Sequence, residues 1–271
     1  VATLGADGKL LLDGKGDVRQ VNLLEKLLVP LLAKLSNLVV DGGIWLNTQR
    51  PEWNDANNAL VGQGLSMVTL YYMRRYLCFL QDLLDPEEED FDVSAPIVEW
   101  LRGTARALNS LRSTVEKNVI DDATRRRSLA ALGRAASTFR ESLYSRGDLD
   151  ALADLPIDEV RDMLSDALAV VDHSIAANKR SDARYHAYNI ADFDGERLGV
   201  DNLYPMLEGQ VAALSSGAVP PAEAVEVLEA LYESAIYRAD QDSFMLYPDR
   251  ELPGFLERNR VSEDRAMAIP L

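Results

Sequence analysis

The chain has one cysteine, Cys78, and two histidines, His173 and His186. A lone cysteine closes no intrachain disulfide, and Cys78, in an apolar run, reads as a small core residue. The two histidines stand too far apart for metal-ligand spacing and build no Ser-His-Asp or Cys-His arrangement, so neither a metal nor a cofactor is expected. Basic residues are outnumbered 28 to 44, for a net charge of −16. A field of that sign repels phosphate backbones and anionic lipid, so nucleic acid and membrane are not expected partners. No uncharged run approaches the ~20 residues that cross a bilayer. Nothing resembles a signal peptide, so a cytoplasmic setting is expected, although a chain that starts at Val1 leaves room for an upstream segment. Strand signals are scarce as well, because valine and isoleucine rarely alternate with polar residues outside helical periods.

With 271 residues, 47% of them hydrophobic and 27% charged, the chain matches an ordinary globular protein able to bury one substantial core or two modest ones. Residues 1–17 form a Gly- and Asp-rich lead-in or arm whose Gly-Lys pairs lack phosphate-loop spacing. A 3.6-residue apolar period predicts a first helix over 19–40, with Pro30 inside it and Asp41-Gly42-Gly43 as its stop. The second, 59–84, is apolar nearly all round and is expected to be wrapped by its neighbours. Further helices are predicted from Ser94-Pro96 to Asn118, from Asp122 to Tyr144, from Pro156 to Lys179, over 203–216, and from Pro220-Pro221 to Ala239. The expected fold is all-α, with antiparallel helix pairs forming a complete or partial α/α toroid. Residues 18–271 make a single helical domain, which a larger chain could contain.

The stretch from Trp45 to Leu60 concentrates two tryptophans, four asparagines, Arg50 and the acids Glu52 and Asp55 between very apolar segments. One reading is a loop tied by its own amides, with Pro51 holding Arg50 extended. The sharper reading is a carbohydrate site. Tryptophan faces stack on sugar rings, asparagine and arginine hold hydroxyls, and a carboxyl group protonates the departing glycosidic oxygen.

Glu52-Trp53-Asn54-Asp55 resembles the Asp-Trp-Asn-Asp segment of cellobiose phosphorylase and its relatives, with Glu52 in place of Asp and Ala56 in place of Gly. More loosely, the layout is similar to other (α/α)6-barrel glycosidases. The longer run from Arg50 to Gly62 resembles a segment of large bacterial proteins associated with carbohydrate. The resemblance implies an (α/α)6 barrel and gives Asp55 the role of general acid.

On this reading the chain is a glycoside hydrolase or phosphorylase acting on an oligosaccharide or glycoside. Asp55 is the acid, with Trp45, Arg50, Glu52, Trp53, Asn54, Asn57 and Asn58 around the sugar. A hydrolase needs a second carboxylate. Glu208, followed by a helix-weakening Gly209, is the first candidate, and Asp240 and Asp242 are the next. Phosphate as nucleophile needs no second carboxylate but does need a cationic pocket. A non-catalytic helical module binding glycan or protein within a larger polypeptide is the alternative.

Two other charge clusters are singled out. Asp85 to Asp92 holds six carboxylates in eight residues and reads as a solvated loop. Arg125-Arg126-Arg127 opposes the dipole of the helix it begins, which calls for an acidic neighbour such as that loop, or for an anionic ligand. Asp192-Phe193-Asp194-Gly195 hints at a calcium loop but lacks the later ligands, so 181–201 is expected to be a long connection.

Overall fold

A computed structural model of the chain describes residues 17–47, 59–117, 120–146 and 151–262, together with Lys15 and Arg265. Among the described residues there are eight helices and nine short strands, five of which form one antiparallel sheet. This mixed α/β architecture overturns the all-α expectation and the α/α toroid built on it. For the three shortest strands of that sheet the reason lies in strand length. Strands of two or three residues cannot display alternation, and their apolar residues extended the helical period of their neighbours.

Helix α1, Leu23–Leu35, starts where the Asn22 side chain accepts a hydrogen bond from Glu25 N at 2.8 Å. It ends at Ser36, whose hydroxyl donates back to Leu32 O at 2.7 Å. Strands β1, Leu38–Val39, and β2, Gly43–Trp45, then pair antiparallel through the turn that had been expected to stop a helix. Asp41 takes a left-handed conformation there, with φ 63°. Gly43 has φ 117°, and a Cβ on it would fall 2.8 Å from the Ser66 backbone, so only glycine lets β2 lie against the next strand.

That strand, β3, is Gly64–Ser66, and Ser66 accepts from Thr69 N at 3.0 Å to cap helix α2, Met67–Leu84. The predicted 59–84 helix is thus a turn, a strand and a helix. Helix α2 is also one-sided, because Leu70, Tyr71, Leu77 and Leu80 are buried while Tyr72, Phe79 and Leu83 are exposed. Strand β4, Phe91–Ser94, pairs with β5, Leu152–Leu155. Helices α3, Ala95–Val115, α4, Asp122–Arg146, and α5, Ile157–Ala177, begin close to the predicted Pro and Asp signals. Helix α3 lies between α4 and α5, and α5 packs in turn on α2.

The expected 181–201 connection is mostly a hairpin of β6, Tyr188–Asp194, and β7, Arg197–Asn202. Its Gly195-Glu196, with Gly195 at φ 56°, is a two-residue turn rather than a calcium loop. The large sheet runs β1-β2-β3-β6-β7. Helix α6, Leu207–Ser215, packs on α2. Helix α7, Pro221–Tyr232, the small pair β8, Tyr237–Arg238, and β9, Ser243–Phe244, and the short α8, Phe255–Arg258, complete the order.

The main core joins Leu28 and Leu32 to Leu70, Tyr71, Leu101, Leu164, Val170 and Tyr188, each such burial being worth roughly 1.5–3 kcal/mol. A smaller cluster of Val39, Leu65, Leu129, Ala191 and Leu198 seats α4 on the sheet. Among the described residues, no helix is long and apolar enough to cross a membrane.

Candidate functional site

Seating α4 against the sheet leaves a cleft of about 1050 Å³ between that helix, the end of α1 and strand β2. Val29, Ala33 and Lys34 form the α1 wall, and Ile44, Trp45 and Leu46 the β2 wall. Helix α4 contributes Arg126, Ala130, Gly133, Arg134, Ser137 and Arg140, spaced so that one face of the helix looks into the cleft. Gly133 leaves this face bare, although a Cβ there would meet nothing closer than Ser36 O at 3.9 Å.

Four aromatic rings line the cleft, in two pairs. Trp45 is half-buried, its ring 5.2 Å from Phe193 and tilted by 52°. Its Nε1 donates to Gly62 O at 3.0 Å, which fixes the indole plane. Trp100 stacks on Phe139 at 4.5 Å and 14°. Although Trp100 is buried, its Nε1 has no acceptor among the described residues. A buried N–H without a partner is costly, and an acceptor brought by a ligand would relieve it.

Backbone bonds from Leu46 N to Gly64 O at 2.9 Å and from Gly62 N to Leu46 O at 2.6 Å close the base of the 48–58 segment. Asn47 and Gly62, on either side of it, both line the cleft. Trp45 lies at a cleft wall and is partly accessible. Arg50, Glu52, Trp53, Asn54, Asp55, Asn57 and Asn58 lie outside the described residues.

The proposed second carboxylates are not brought to this cleft. Glu208 sits in the first turn of α6, and the glycine after it serves packing: a Cβ on Gly209 would lie 2.7 Å from Ala187 Cβ. Asp240 accepts from Arg238 Nε at 2.9 Å and Nη2 at 2.7 Å, and this pairing holds its carboxyl below the ordinary carboxylate range. A general acid needs the opposite shift. Asp242 accepts from the Tyr237 hydroxyl at 2.7 Å in the same exposed hairpin. None of the three lines the cleft, and neither does any other carboxylate among the described residues.

The charge that is present there is positive, from Lys34, Arg126, Arg134 and Arg140. Of the three consecutive arginines, Arg125 does find acids, though not those of 85–92. Its Nη2 lies 3.1 Å from Asp41 Oδ2 and its Nη1 2.9 Å from Asp122 Oδ1. Backbone carbonyls of the acidic loop are instead held by Arg161, at 2.8 Å for Leu84 O and 3.0 Å for Asp85 O.

Sequence reasoning missed the polar ladder that ties the β1–β2 turn to β6 and the end of α5. Asn178 Nδ2 donates to Asp41 O at 2.7 Å, and Asp41 N donates to Ser174 Oγ at 3.0 Å. Asn189 Nδ2 donates to Gly42 O and to Asn178 Oδ1, both at 2.8 Å, and Asn202 Nδ2 donates to Asn189 Oδ1 at 2.8 Å. The His173 imidazole Nε2 stands 3.1 Å from Asp41 Oδ1. Three asparagines spread over some two dozen positions give no local signal; only the strained Asp41 turn links them. Among the described residues, no group of three or more His, Cys, Asp or Glu could hold a metal ion. Compared with models of known protein families and with curated proteins, the sequence matches none.

Proposed function

We propose that this chain supplies the glycan-holding cleft of a carbohydrate-active enzyme that cleaves a glycosidic bond, with Asp55 as the general acid. One observation carries the reading. Trp45 is half-buried on the wall of a roomy cleft, and the base of the Asn- and Trp-rich 48–58 segment is closed at the same wall. An aromatic face with polar groups beside it is the chemistry that binds a sugar ring, apolar on its C–H face and polar at its hydroxyls.

A second reading, a glycan-binding module without catalysis, is favoured by the lack of any carboxylate among the described lining residues. Asp55→Asn separates the two. The substitution keeps the shape and removes the transferable proton. If the chain is catalytic, turnover of a glycoside with a poor leaving group disappears, affinity is nearly unchanged, and a substrate with an activated leaving group suffers much less. Unchanged turnover in the folded variant would reject Asp55 as the acid. Absence of turnover in the wild type across a glycoside panel, with binding retained, would leave the module.

A further inference from the structure

We infer that the glycan held in this cleft is acidic: an oligosaccharide bearing carboxylate, sulfate or phosphate groups along its length. The inference rests on the glycan reading above and adds the substrate class to it.

In a chain with 44 acidic and 28 basic residues, the charged groups lining the cleft are Lys34, Arg126, Arg134 and Arg140, with no carboxylate among the described lining residues. None of the four is ion-paired among the described residues. Arg126 Nε reaches only the Gly195 carbonyl at 3.3 Å, and Arg140 Nη2 only the Ser137 hydroxyl at 3.2 Å. Their neighbour Arg125 is doubly paired, so acids are within reach of this helix and yet are kept from its cleft face. Unneutralised cations gathered in a cleft of an acidic protein set up a local field that selects anions.

The spacing decides what kind of anion. Fourteen helical residues put Arg126 and Arg140 ~21 Å apart along α4, with Arg134 ~12 Å from the first and ~9 Å from the second. A single inorganic phosphate could touch at most two of them. A chain of sugars with an anionic group on successive units matches a row of cations set over small residues, Ala130, Gly133 and Ser137, that leave the floor open. Bidentate guanidinium contacts would read those groups, while Trp45 and the unpartnered Trp100 N–H serve the rings and hydroxyls.

The test is calorimetric titration of the whole chain with four probes: an oligogalacturonide, a neutral oligosaccharide of equal length, inorganic phosphate and a polyglutamate of similar charge. The oligogalacturonide is expected to bind about tenfold or more tighter than the neutral sugar, with an affinity that falls as salt is added. Arg126→Gln and Arg140→Gln should each weaken it about tenfold and leave neutral-sugar binding unchanged, while Arg238→Gln, in the β8–β9 hairpin and not among the cleft-lining residues, should change neither. Circular dichroism confirms that each variant is folded. Equal affinity for acidic and neutral sugars overturns the acidic-substrate inference and leaves the glycan reading standing. No binding of either sugar removes the glycan reading itself. Arginine-dependent binding of phosphate alone, or of polyglutamate as tightly as the oligogalacturonide, overturns the inference in favour of a free-anion or a peptide site.

Discussion

Replacing Asn189 by alanine breaks the polar ladder at its middle rung. The side chain is fully buried, and its amide donates to Gly42 O and Asn178 Oδ1 while its carbonyl accepts from Asn202. Asn202 is exposed, so water can replace the lost acceptor there. Gly42 and Asn178 are buried, and each loses a donor that water cannot readily replace. A buried polar group left without its partner costs ~1–3 kcal/mol, so the two together predict a loss of about 2–6 kcal/mol. Against the ~5–15 kcal/mol typical of a folded domain, that is a large fraction. Urea denaturation should show a lower midpoint with the slope unchanged. Asn202→Ala removes only the outer, solvated bond and should cost under about 1 kcal/mol. A loss below about 1 kcal/mol for Asn189→Ala, or equal losses for both variants, would refute the claim that a buried ladder ties this turn to β6 and α5.

Two further outcomes follow from the same region. Burial, aided by nearby Arg180, pushes the His186 imidazole below its ordinary value of 6.5, against smaller opposing effects of the Leu203 backbone and Asp182. The unfolded chain therefore binds a proton first as pH falls, and stability drops below about pH 6.5 towards the lower folded value. Glu159, Asp182 and Glu223 are all held below the carboxylate range, so their losses begin at more acid pH. Urea midpoints between pH 7 and 5 should fall for the wild type and fall less for His186→Gln; equal slopes would count against it. Gly43→Ala adds a Cβ 2.8 Å from the Ser66 backbone at φ 117° and should cost about 2 kcal/mol or more. Gly195→Ala, at φ 56° with open space around it, should cost only about 1–2 kcal/mol. Thermal melts that rank the two the other way would contradict the close strand approach.

Most of the helices were legible because their signals are long. Periodicity over a dozen or more residues, with Pro96, Asp122 and Pro156 at the starts, located α3, α4 and α5 to within a few residues. Pro220-Pro221 marked the start of α7, but the helix predicted to Ala239 ends at Tyr232 and gives way to β8. The sheet was illegible for the opposite reason. Leu38–Val39 and Gly64–Ser66 are too short to alternate and are buried throughout, so they read as ends of helices. The Asp194-Gly195 pair leading into the β6–β7 turn was visible but, flanked by acids, suggested calcium.

At the site, Trp45 could be singled out because tryptophan next to clustered amides is unusual locally. The cationic face of α4 could not, since Arg126, Arg134 and Arg140 converge only once the helix is seated on the sheet. The run of three arginines was its one trace, and Arg125 and Arg126 turned out to do different work. Glu208, Asp240 and Asp242 misled because a glycine beside an acid, or acids beside aromatics, signal close packing and exposed hairpins as well as catalysis.

The central claim is that sugar is held at the Trp45 wall. Of the three tryptophans, Trp53 and Trp100 can be changed to phenylalanine, leaving Trp45 as the only indole reporter. Its emission, measured while a panel of acidic and neutral oligosaccharides is added to the folded double variant, tests the claim directly. The account predicts quenching or a blue shift that saturates with at least one member of the panel and needs about tenfold more of it in Arg126→Gln if that member is acidic. Emission that stays constant across the panel, while calorimetry on the same variant detects sugar binding, would place the sugar elsewhere and contradict the account.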